Sequence, residues 1–179
     1  MQGHFLIQTL REHGIDTSGI VIDDNVFTTL AFVSLKDGER SFSFARKPGA
    51  DTCLRPEEVR AGLLQKTRFL HFGSLSLTDE PARSATMHAI NIAKQSGAWI
   101  SYDPNYRAPL WKSEQTAVSR MRSVLPYVDI MKLSDEETSL LTGESDPQAA
   151  AEVLLNQGIS CVIVTLGADG AYLATKHVQ

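Results

Sequence analysis

The sequence Ala-Trp-Ile-Ser-Tyr-Asp-Pro-Asn-Tyr-Arg, residues 98–107, decides the fold class of this chain. Its first half is apolar and aromatic, which is typical of a strand, and its second half changes to the polar residues and proline of a turn. An amphipathic segment at 81–95 precedes it and ends at Gly97, a common helix terminator. A strand that follows a helix and ends in a polar turn is typical of the βα units of a parallel sheet.

The same alternation of strands and helices extends from this stretch in both directions. Short apolar runs predict further strands at 69–72, 128–131 and 161–164. This order predicts an α/β fold with a mostly parallel sheet, covered on both faces by right-handed crossovers. The remaining helices are predicted at 56–66, at 113–124, from Ser134 to Gly143, and from Asp146 to Gly158.

The N-terminal part of the chain has a different pattern. Apolar residues at helical spacing predict a helix around 5–10. Residues 29–35 and 40–45 predict two strands, which the turn sequence at 36–39 joins into a β-hairpin with one polar face. A Pro-Gly pair at 48–49 ends this hairpin, and we expect the α/β region to begin after it.

The composition is that of an ordinary globular domain. The chain has 179 residues, of which 42% are hydrophobic and 21% charged, so one domain with its own core is expected. A net charge of −4 without a basic run argues against nucleic acid as a partner. No apolar run has the length of a membrane span, and the first residues lack a signal-peptide pattern.

Residues that bind metals or form disulfides are few and scattered. Cys53 and Cys161 are far apart in sequence and predict neither a disulfide framework nor a zinc site, so a reducing cytoplasm is expected. The histidines show no metal-ligand spacing. They are His4, His13, His71, His88 and His177.

Polar or glycine-rich clusters directly follow four of the predicted strands. In open parallel sheets, ligands bind beyond the carboxyl ends of the strands, and these ends share one edge. The sequence therefore predicts a binding site at that edge. The clusters are Gly73-Ser74, 103–107, 132–134 and 165–170.

Three of these clusters allow both a structural and a functional interpretation. The two glycines of 165–170 let a backbone approach a phosphate or a ribose, but a plain turn between strands has the same pattern, and no Walker loop or dinucleotide fingerprint is present. Glu137, three residues after Ser134, either completes a capping box or organises a magnesium–water network near phosphates. Lys132 is either a phosphate contact or an ordinary exposed lysine.

Two arginines are further candidates. Arg107 follows Asp103 and Asn105 and offers planar donors for sugar hydroxyls or phosphate oxygens. An Asx turn would give the same segment a purely structural role. Arg46 follows the hairpin, and we expect a solvated charge there unless the hairpin covers a pocket.

Taken together, these segments resemble the ribokinase (PfkB) family of sugar kinases, and its fructokinase branch most. Residues 103–111 are similar to the family segment DPNxRxxLW, and 132–143 to its KxSxxE…LTG helix in the serine form usual for fructokinases. Residues 38–44 with 48–51 resemble the strand and exit of the fructokinase lid, and 164–171 the nucleotide-binding turn. The resemblance covers essentially the whole chain in the family's order.

The resemblance implies a doubly wound, ribokinase-like α/β domain with a small β-hairpin lid over the sugar. The lid corresponds to about 27–46 and the α/β core to about 54–179, so that 1–179 forms one incomplete domain. A homodimer through the lid is the assembly that the resemblance allows, with no nucleic acid or membrane partner.

The resemblance also assigns ligand contacts. Phe44 and Arg107 would contact the sugar, with Arg46 a weaker candidate. ATP and Mg²⁺ are the implied cofactors, with Glu137 acting on the metal through water and K⁺ as a further candidate ion. The implied nucleotide contacts are Lys132, Glu137, Thr165, Leu166, Gly167, Ala168, Asp169 and Gly170.

The implied reaction is ATP-dependent phosphorylation of a sugar hydroxyl, with fructose as the expected sugar. Family members begin with a sugar-binding Asp and a Gly-Gly segment, and a later DTxGAGD motif supplies the general base and the anion hole. Neither part occurs in this sequence, so we expect a chain truncated at both ends that transfers no phosphoryl group alone. Two alternatives stay open: a non-catalytic nucleotide- or sugar-binding remnant, and a fragment of a ketodeoxygluconate or aminoimidazole riboside kinase.

Overall fold

The computed structural model describes residues 2–36 and 39–176. The tip of the predicted hairpin turn, residues 37–38, lies outside the described residues. The helices are α1 Gln2–Glu12, α2 Ala61–Leu64, α3 Ala82–Gln95, α4 Glu114–Ser123, α5 Asp135–Thr142 and α6 Pro147–Asn156. The strands are β1 Leu30–Lys36, β2 Glu39–Ala45, β3 Phe69–Gly73, β4 Trp99–Asp103, β5 Ile130–Ser134, β6 Cys161–Thr165 and β7 Ala171–Thr175.

Five strands form the main sheet, in the spatial order β3-β4-β5-β6-β7. Strands β3 to β6 run parallel, and β7 pairs antiparallel with β6. Strands β1 and β2 form a separate antiparallel hairpin, in which Val33 lies opposite Phe42. The predicted α/β fold class, with a mostly parallel sheet and a small hairpin, is confirmed.

The core lies between one face of the main sheet and the helices α3 to α6. The helices contribute small and apolar side chains to it, among them Ala93, Met121 and Leu154. Each large apolar side chain buried there contributes about 1.5–3 kcal/mol to folding. The buried strand residues, which alternate along each strand, are Ile100, Tyr102, Met131, Leu133, Val162, Val164 and Ala174.

The opposite face of the sheet is only partly covered by the described residues. Phe69, Trp99 and Leu173 point to this face, and each is about half exposed. Because successive parallel strands lie side by side in sequence order, right-handed crossovers place the intervening helices on the same face. The expectation of helices on both faces is therefore not met within the ranges 2–36 and 39–176.

The prediction of one helix at 56–66 is wrong. Residues Pro56–Glu58 form a single 3₁₀ turn, and α2 follows only after a break. The Glu58 carboxylate accepts a hydrogen bond from the Arg55 amide at 2.8 Å, and Val59 then has an extended backbone with φ −68° and ψ 119°. This extended residue turns the chain out of the helical path.

Arg46 ties the base of the hairpin to the α/β core. Its guanidinium donates to Asp51 Oδ2 (2.8 Å), Thr78 Oγ1 (2.9 Å) and the Leu75 carbonyl (2.8 Å), and its side chain is 6% exposed. Asp51 also accepts a hydrogen bond from Thr29, which precedes β1, so both ends of the hairpin meet at one carboxylate. The expectation that Arg46 is a solvated charge is therefore wrong.

Candidate functional site

The carboxyl ends of β3 to β6 lie along one edge of the sheet, which we call the rim together with the loops that follow these strands. Gly73 at the end of β3 pairs with Asp103 at the end of β4, and Ser134 of β5 pairs with Thr165 of β6. A Cβ atom at Gly73 would lie 3.2 Å from the Asp103 carbonyl oxygen, so glycine lets the first two strands end close together. The four polar clusters therefore begin side by side.

Glu137 in α5 connects two of these clusters. Its Oε2 accepts hydrogen bonds from the Ser134 amide (2.9 Å) and hydroxyl (3.1 Å), which completes the predicted capping box. Its Oε1 accepts a hydrogen bond from the Tyr106 amide at 2.6 Å, in the loop after β4. Because Glu137 is 7% exposed, a buried carboxylate ties this loop to the N-terminus of α5.

These hydrogen bonds limit how Glu137 can meet a metal ion. Both carboxylate oxygens already accept hydrogen bonds from the protein, so a direct metal bond would compete with at least one donor. A contact through water leaves the bonds in place, and this is the form in which the carboxylate fits Mg²⁺. The described residues contain no group of three or more His, Cys, Asp or Glu side chains that could hold a metal. In the same part of the chain, no helix is long and apolar enough to span a bilayer.

Asp103 has two partners inside the protein. Its Oδ1 accepts a hydrogen bond from the Asn105 amide at 3.1 Å, which forms the Asx turn, and its Oδ2 lies 2.9 Å from Lys132 Nζ. Asn105 has a positive φ of 46°, a conformation that asparagine tolerates better than most residues. Lys132 is therefore a partly exposed, paired lysine, and its contact with a nucleotide phosphate stays a prediction.

Arg107 joins the rim to the hairpin. Its Cζ lies 5.5 Å from the centroid of the Phe42 ring in β2, within range for a cation–π attraction. Its Nη1 donates to the Tyr106 carbonyl at 2.9 Å. Phe42 in turn stacks on Phe44 with the ring centroids 6.3 Å apart. The predicted sugar contacts Arg107 and Phe44 are thus the two ends of one row of side chains.

A cleft of about 480 Å³ opens at the rim, and both Arg107 and Glu137 line it. This volume falls within the range of small-molecule sites. Phe44 and Arg46 instead line a separate cleft of about 440 Å³ beside the base of the hairpin. The structure therefore brings one predicted sugar contact next to one predicted nucleotide contact, and it places the other two sugar candidates in a neighbouring cleft.

The segment 165–170 turns the chain from β6 into β7. The Leu166 amide donates to the Gly170 carbonyl at 2.8 Å, and Gly167 and Gly170 have positive φ values of 59° and 95°. These backbone conformations require glycine, although the space around both residues is open. The turn lies on the rim but outside the lining of the 480 Å³ cleft, and its contact with a nucleotide stays a prediction.

Tyr102 lies buried behind the rim, with its ring stacked on Phe72 at a centroid distance of 4.7 Å. Burial raises the pKa of its phenol far above the usual value, and the carboxylates of Glu137 and Asp103 raise that pKa further. Its hydroxyl has no hydrogen-bond partner among the described residues. The phenol therefore stays neutral as an unbonded polar group close to the rim.

Sequence reasoning missed Phe42, Tyr106 and Tyr102 as parts of this site. Phe42 alternates with Phe44 along β2, so the period of two residues could have indicated their shared face. Tyr106 acts through its backbone amide, for which a sequence carries no signal. Tyr102 reads as an ordinary core aromatic, because only its neighbours in space make it unusual.

The fold and the rim define a class: an α/β domain whose parallel strands end at one edge, where domains of this class bind ligands, with a hairpin joined to that edge. The sequence model described as pfkB family carbohydrate kinase matches residues 1–179. The chain belongs to this family, and the resemblance of its motifs is confirmed.

Fructokinases are among the relatives and solved structures that this chain resembles. Over 179 residues the chain is 41% identical to the probable fructokinase-5 of Arabidopsis thaliana, covering 99% of this chain and 55% of the relative. The fructokinase of Xylella fastidiosa with bound ATP superposes with a TM-score of 0.87 at 33% identity, over 98% of this chain and 56% of that one. A double mutant of Vibrio cholerae O395 fructokinase with bound fructose, ADP and potassium superposes with a TM-score of 0.86 at 32% identity, over 98% of this chain and 56% of that one. The chain thus spans a little over half the length of the curated relative.

Proposed function

We propose that this chain forms the substrate-holding part of an ATP-dependent sugar kinase and that its sugar is fructose. The observation that carries the proposal is the cleft that Arg107 and Glu137 line together, at the ends of neighbouring parallel strands. The relatives support the choice of ligands, since they are named fructokinases and their structures hold ATP, or fructose with ADP.

In this proposal the sugar lies on the side of the rim next to the hairpin, and ATP lies on the side next to α5 and the 165–170 turn. Arg107 donates to sugar hydroxyls under a lid formed by about 27–46 over the core at about 54–179. Phe44 lines the separate cleft at the hairpin base, and its packing against the same sugar is part of the proposal. Lys132, Glu137 and the turn 165–170 face ATP, where glycine backbones admit a phosphate closely.

Arg46 takes a holding role in this proposal. Its Nε, Nη1 and Nη2 each already donate a hydrogen bond to the protein. Its donors therefore hold the base of the hairpin and are not directed at a ligand. Truncating it would free the lid from Thr78 and Leu75 without removing a group that faces the cleft of Arg107.

Mg²⁺ is the proposed metal, and when bound it would neutralise negative charge on the ATP phosphates. Glu137 would reach it through water, because the hydrogen bonds from Tyr106 and Ser134 occupy both carboxylate oxygens. Potassium in the Vibrio structure supports K⁺ as a second ion.

We further propose that these 179 residues bind substrates without transferring the phosphoryl group. Transfer needs a base for the sugar hydroxyl proton and donors for the developing charge. The resemblance assigns both to a Gly-Ala-Gly-Asp sequence, which the chain does not contain. Arg107 and Glu137 can orient a sugar and a nucleotide, but neither is proposed as that base, because a guanidinium accepts no proton and both Glu137 oxygens already accept hydrogen bonds from the protein.

Calorimetric titration of the chain with fructose and with magnesium ATP tests the binding proposal. Each ligand should give a saturable heat, and Arg107→Met should abolish the fructose signal. Arg83→Met is the matched control, because Arg83 on α3 pairs with Glu80, just before that helix, and does not line this cleft. Absence of heat with both ligands would contradict the binding proposal. ADP formed from ATP and fructose above a blank without the chain would contradict the proposal that no phosphoryl group is transferred.

The proposed assembly is a cytoplasmic homodimer that pairs through the hairpin. Phe32 and Leu35 support it, since they are 57% and 72% exposed on a two-stranded sheet that needs further packing to be stable. The free thiols of Cys53 and Cys161 suit a reducing compartment. Leu35→Lys should shift the mass measured by light scattering from dimer to monomer, and a wild-type monomer would refute the assembly.

A further inference from the structure

Glu137 and Arg107 belong to different elements, yet one chain of contacts joins them. The Glu137 Oε1 holds the Tyr106 amide at 2.6 Å, and the Tyr106 carbonyl accepts from Arg107 Nη1 at 2.9 Å. The guanidinium of Arg107 then lies over the Phe42 ring of the hairpin. The carboxylate at the N-terminus of α5 is therefore linked to the hairpin through two residues, Tyr106 and Arg107.

The loop that carries Arg107 needs such support. Asn105 has a left-handed backbone (φ 46°), which asparagine tolerates better than most residues but which still favours glycine, so hydrogen bonds to surrounding groups help to fix it. Two carboxylates fix this turn: Asp103 accepts from the Asn105 amide and Glu137 accepts from the next amide, that of Tyr106. Arg107 follows directly, so its direction depends on both hydrogen bonds.

We propose that Glu137 is a positioning residue for Arg107: it holds the 105–107 turn so that the guanidinium stays over Phe42. The inference rests on the proposed function in treating Arg107 as a sugar contact. It assigns Glu137 a role on the sugar side of the rim in addition to its proposed role near the metal.

The reach of the carboxylate can be tested without changing its charge. Glu137→Asp keeps the negative charge at the N-terminus of α5 but shortens the side chain by one methylene, so it cannot hold both Ser134 and Tyr106. Glu136→Asp is the matched control, because it removes the same methylene from a carboxylate side chain at the neighbouring, exposed position. Phe42→Leu removes the ring at the other end of the chain of contacts.

The measurement is NMR of the labelled chain without ligand, reading the hydrogen-exchange protection of the Tyr106 amide and the ring-current shift of the Arg107 side-chain protons. Glu137→Asp should lower the protection by about tenfold or more and remove the ring-current shift. Glu136→Asp should change neither. Phe42→Leu should remove only the shift, because the Glu137–Tyr106 hydrogen bond stays.

Retention of the Arg107 shift in Glu137→Asp, whatever happens to the Tyr106 amide, would overturn the inference. Glu136→Asp and Phe42→Leu show whether any loss arises from general unfolding. If Glu137→Asp does not fold, Glu137→Gln replaces it: its one acceptor oxygen can serve either Ser134 or Tyr106, so the Arg107 shift should be lost only when the Tyr106 amide also loses protection. Because no ligand is present, the result does not depend on whether the chain binds fructose or ATP. A chain that binds neither would end the proposed function while leaving this test decisive.

Discussion

Lys132 Nζ lies 2.9 Å from Asp103 Oδ2, so the lysine predicted to meet a nucleotide phosphate is paired with a carboxylate of the neighbouring strand. A second pair, Lys94 with Asp129, has the same length and a similar exposure. Asp129 directly precedes β5, whereas Asp103 ends β4, so the two pairs lie at opposite edges of the sheet. Each lysine is therefore a control for the other.

Lys132→Met is predicted to weaken ATP binding on the order of tenfold, because a charged donor to phosphate is lost. Lys94→Met should leave ATP binding unchanged. Both substitutions should lower the free energy of unfolding by no more than about 1 kcal/mol, since each breaks one partly exposed ion pair. Calorimetry and denaturant unfolding measure the two effects, and equal ATP affinities of the two variants would remove Lys132 from the site.

Gly49→Ala is predicted to destabilise the hairpin base by about 1–3 kcal/mol through overpacking. The added Cβ would clash with Thr29 Oγ1 and lie 2.7 Å from Asp51 Oδ1, in the cluster that also holds Arg46. Gly62→Ala in α2 is the control, because nothing lies within 4 Å of its Cβ position and alanine favours a helix by up to about 1 kcal/mol. Urea unfolding should therefore give opposite signs for the two variants.

Tyr102→Phe should leave the free energy of unfolding unchanged or raise it by as much as about 1–3 kcal/mol, because it removes a buried hydroxyl that lacks a partner among the described residues. Tyr102→Leu should be destabilising, since it also removes the ring stacked on Phe72. Thermal unfolding of both variants checks the contrast. A loss in Tyr102→Phe as large as that in Tyr102→Leu would mean that the hydroxyl is bonded.

Alkaline pH should destabilise the chain through Tyr102. Burial raises the pKa of the folded phenol above its ordinary value of 10.0, so above that pH the unfolded chain loses this proton while the folded chain keeps it. The neutral phenol of Tyr102 therefore makes its full contribution to the free energy of unfolding below pH 10.0. Above that pH the free energy of unfolding falls, by as much as about 1.4 kcal/mol per pH unit. Tyr102→Phe should make the free energy of unfolding depend less on pH. Urea unfolding at roughly pH 9 to 11, a range that brackets the ordinary pKa of tyrosine, measures this dependence. Identical slopes in both proteins would contradict the assignment.

The places of the strands and of the rim follow from local sequence. Apolar runs that end in polar or glycine-rich turns located β3 to β6, and the serine–glutamate spacing located the capping box of α5. The prediction of one helix at 56–66 failed because the backbone becomes extended at Val59, directly after the first turn, and the apolar pattern does not reveal such a break.

The links between elements could not be predicted in this way. Arg46 meets Thr78, and Glu137 meets Tyr106, across about thirty residues of sequence, and no periodicity carries such contacts. The partly open face of the sheet depends on the spatial order of the strands, which strand spacing along the chain does not specify. Sequence therefore placed the candidate residues at the rim, whereas the structure showed which of them touch.

A shared ligand site at the rim can be located by mapping amide chemical shifts of the labelled chain during titration with magnesium ATP. Saturable shifts are expected at 134–137 and at 165–170, with the amino edge of the sheet around Lys94 and Asp129 unaffected. Saturable shifts centred on that amino edge, or none anywhere at millimolar nucleotide, would contradict a shared ligand site at the carboxyl ends of the strands.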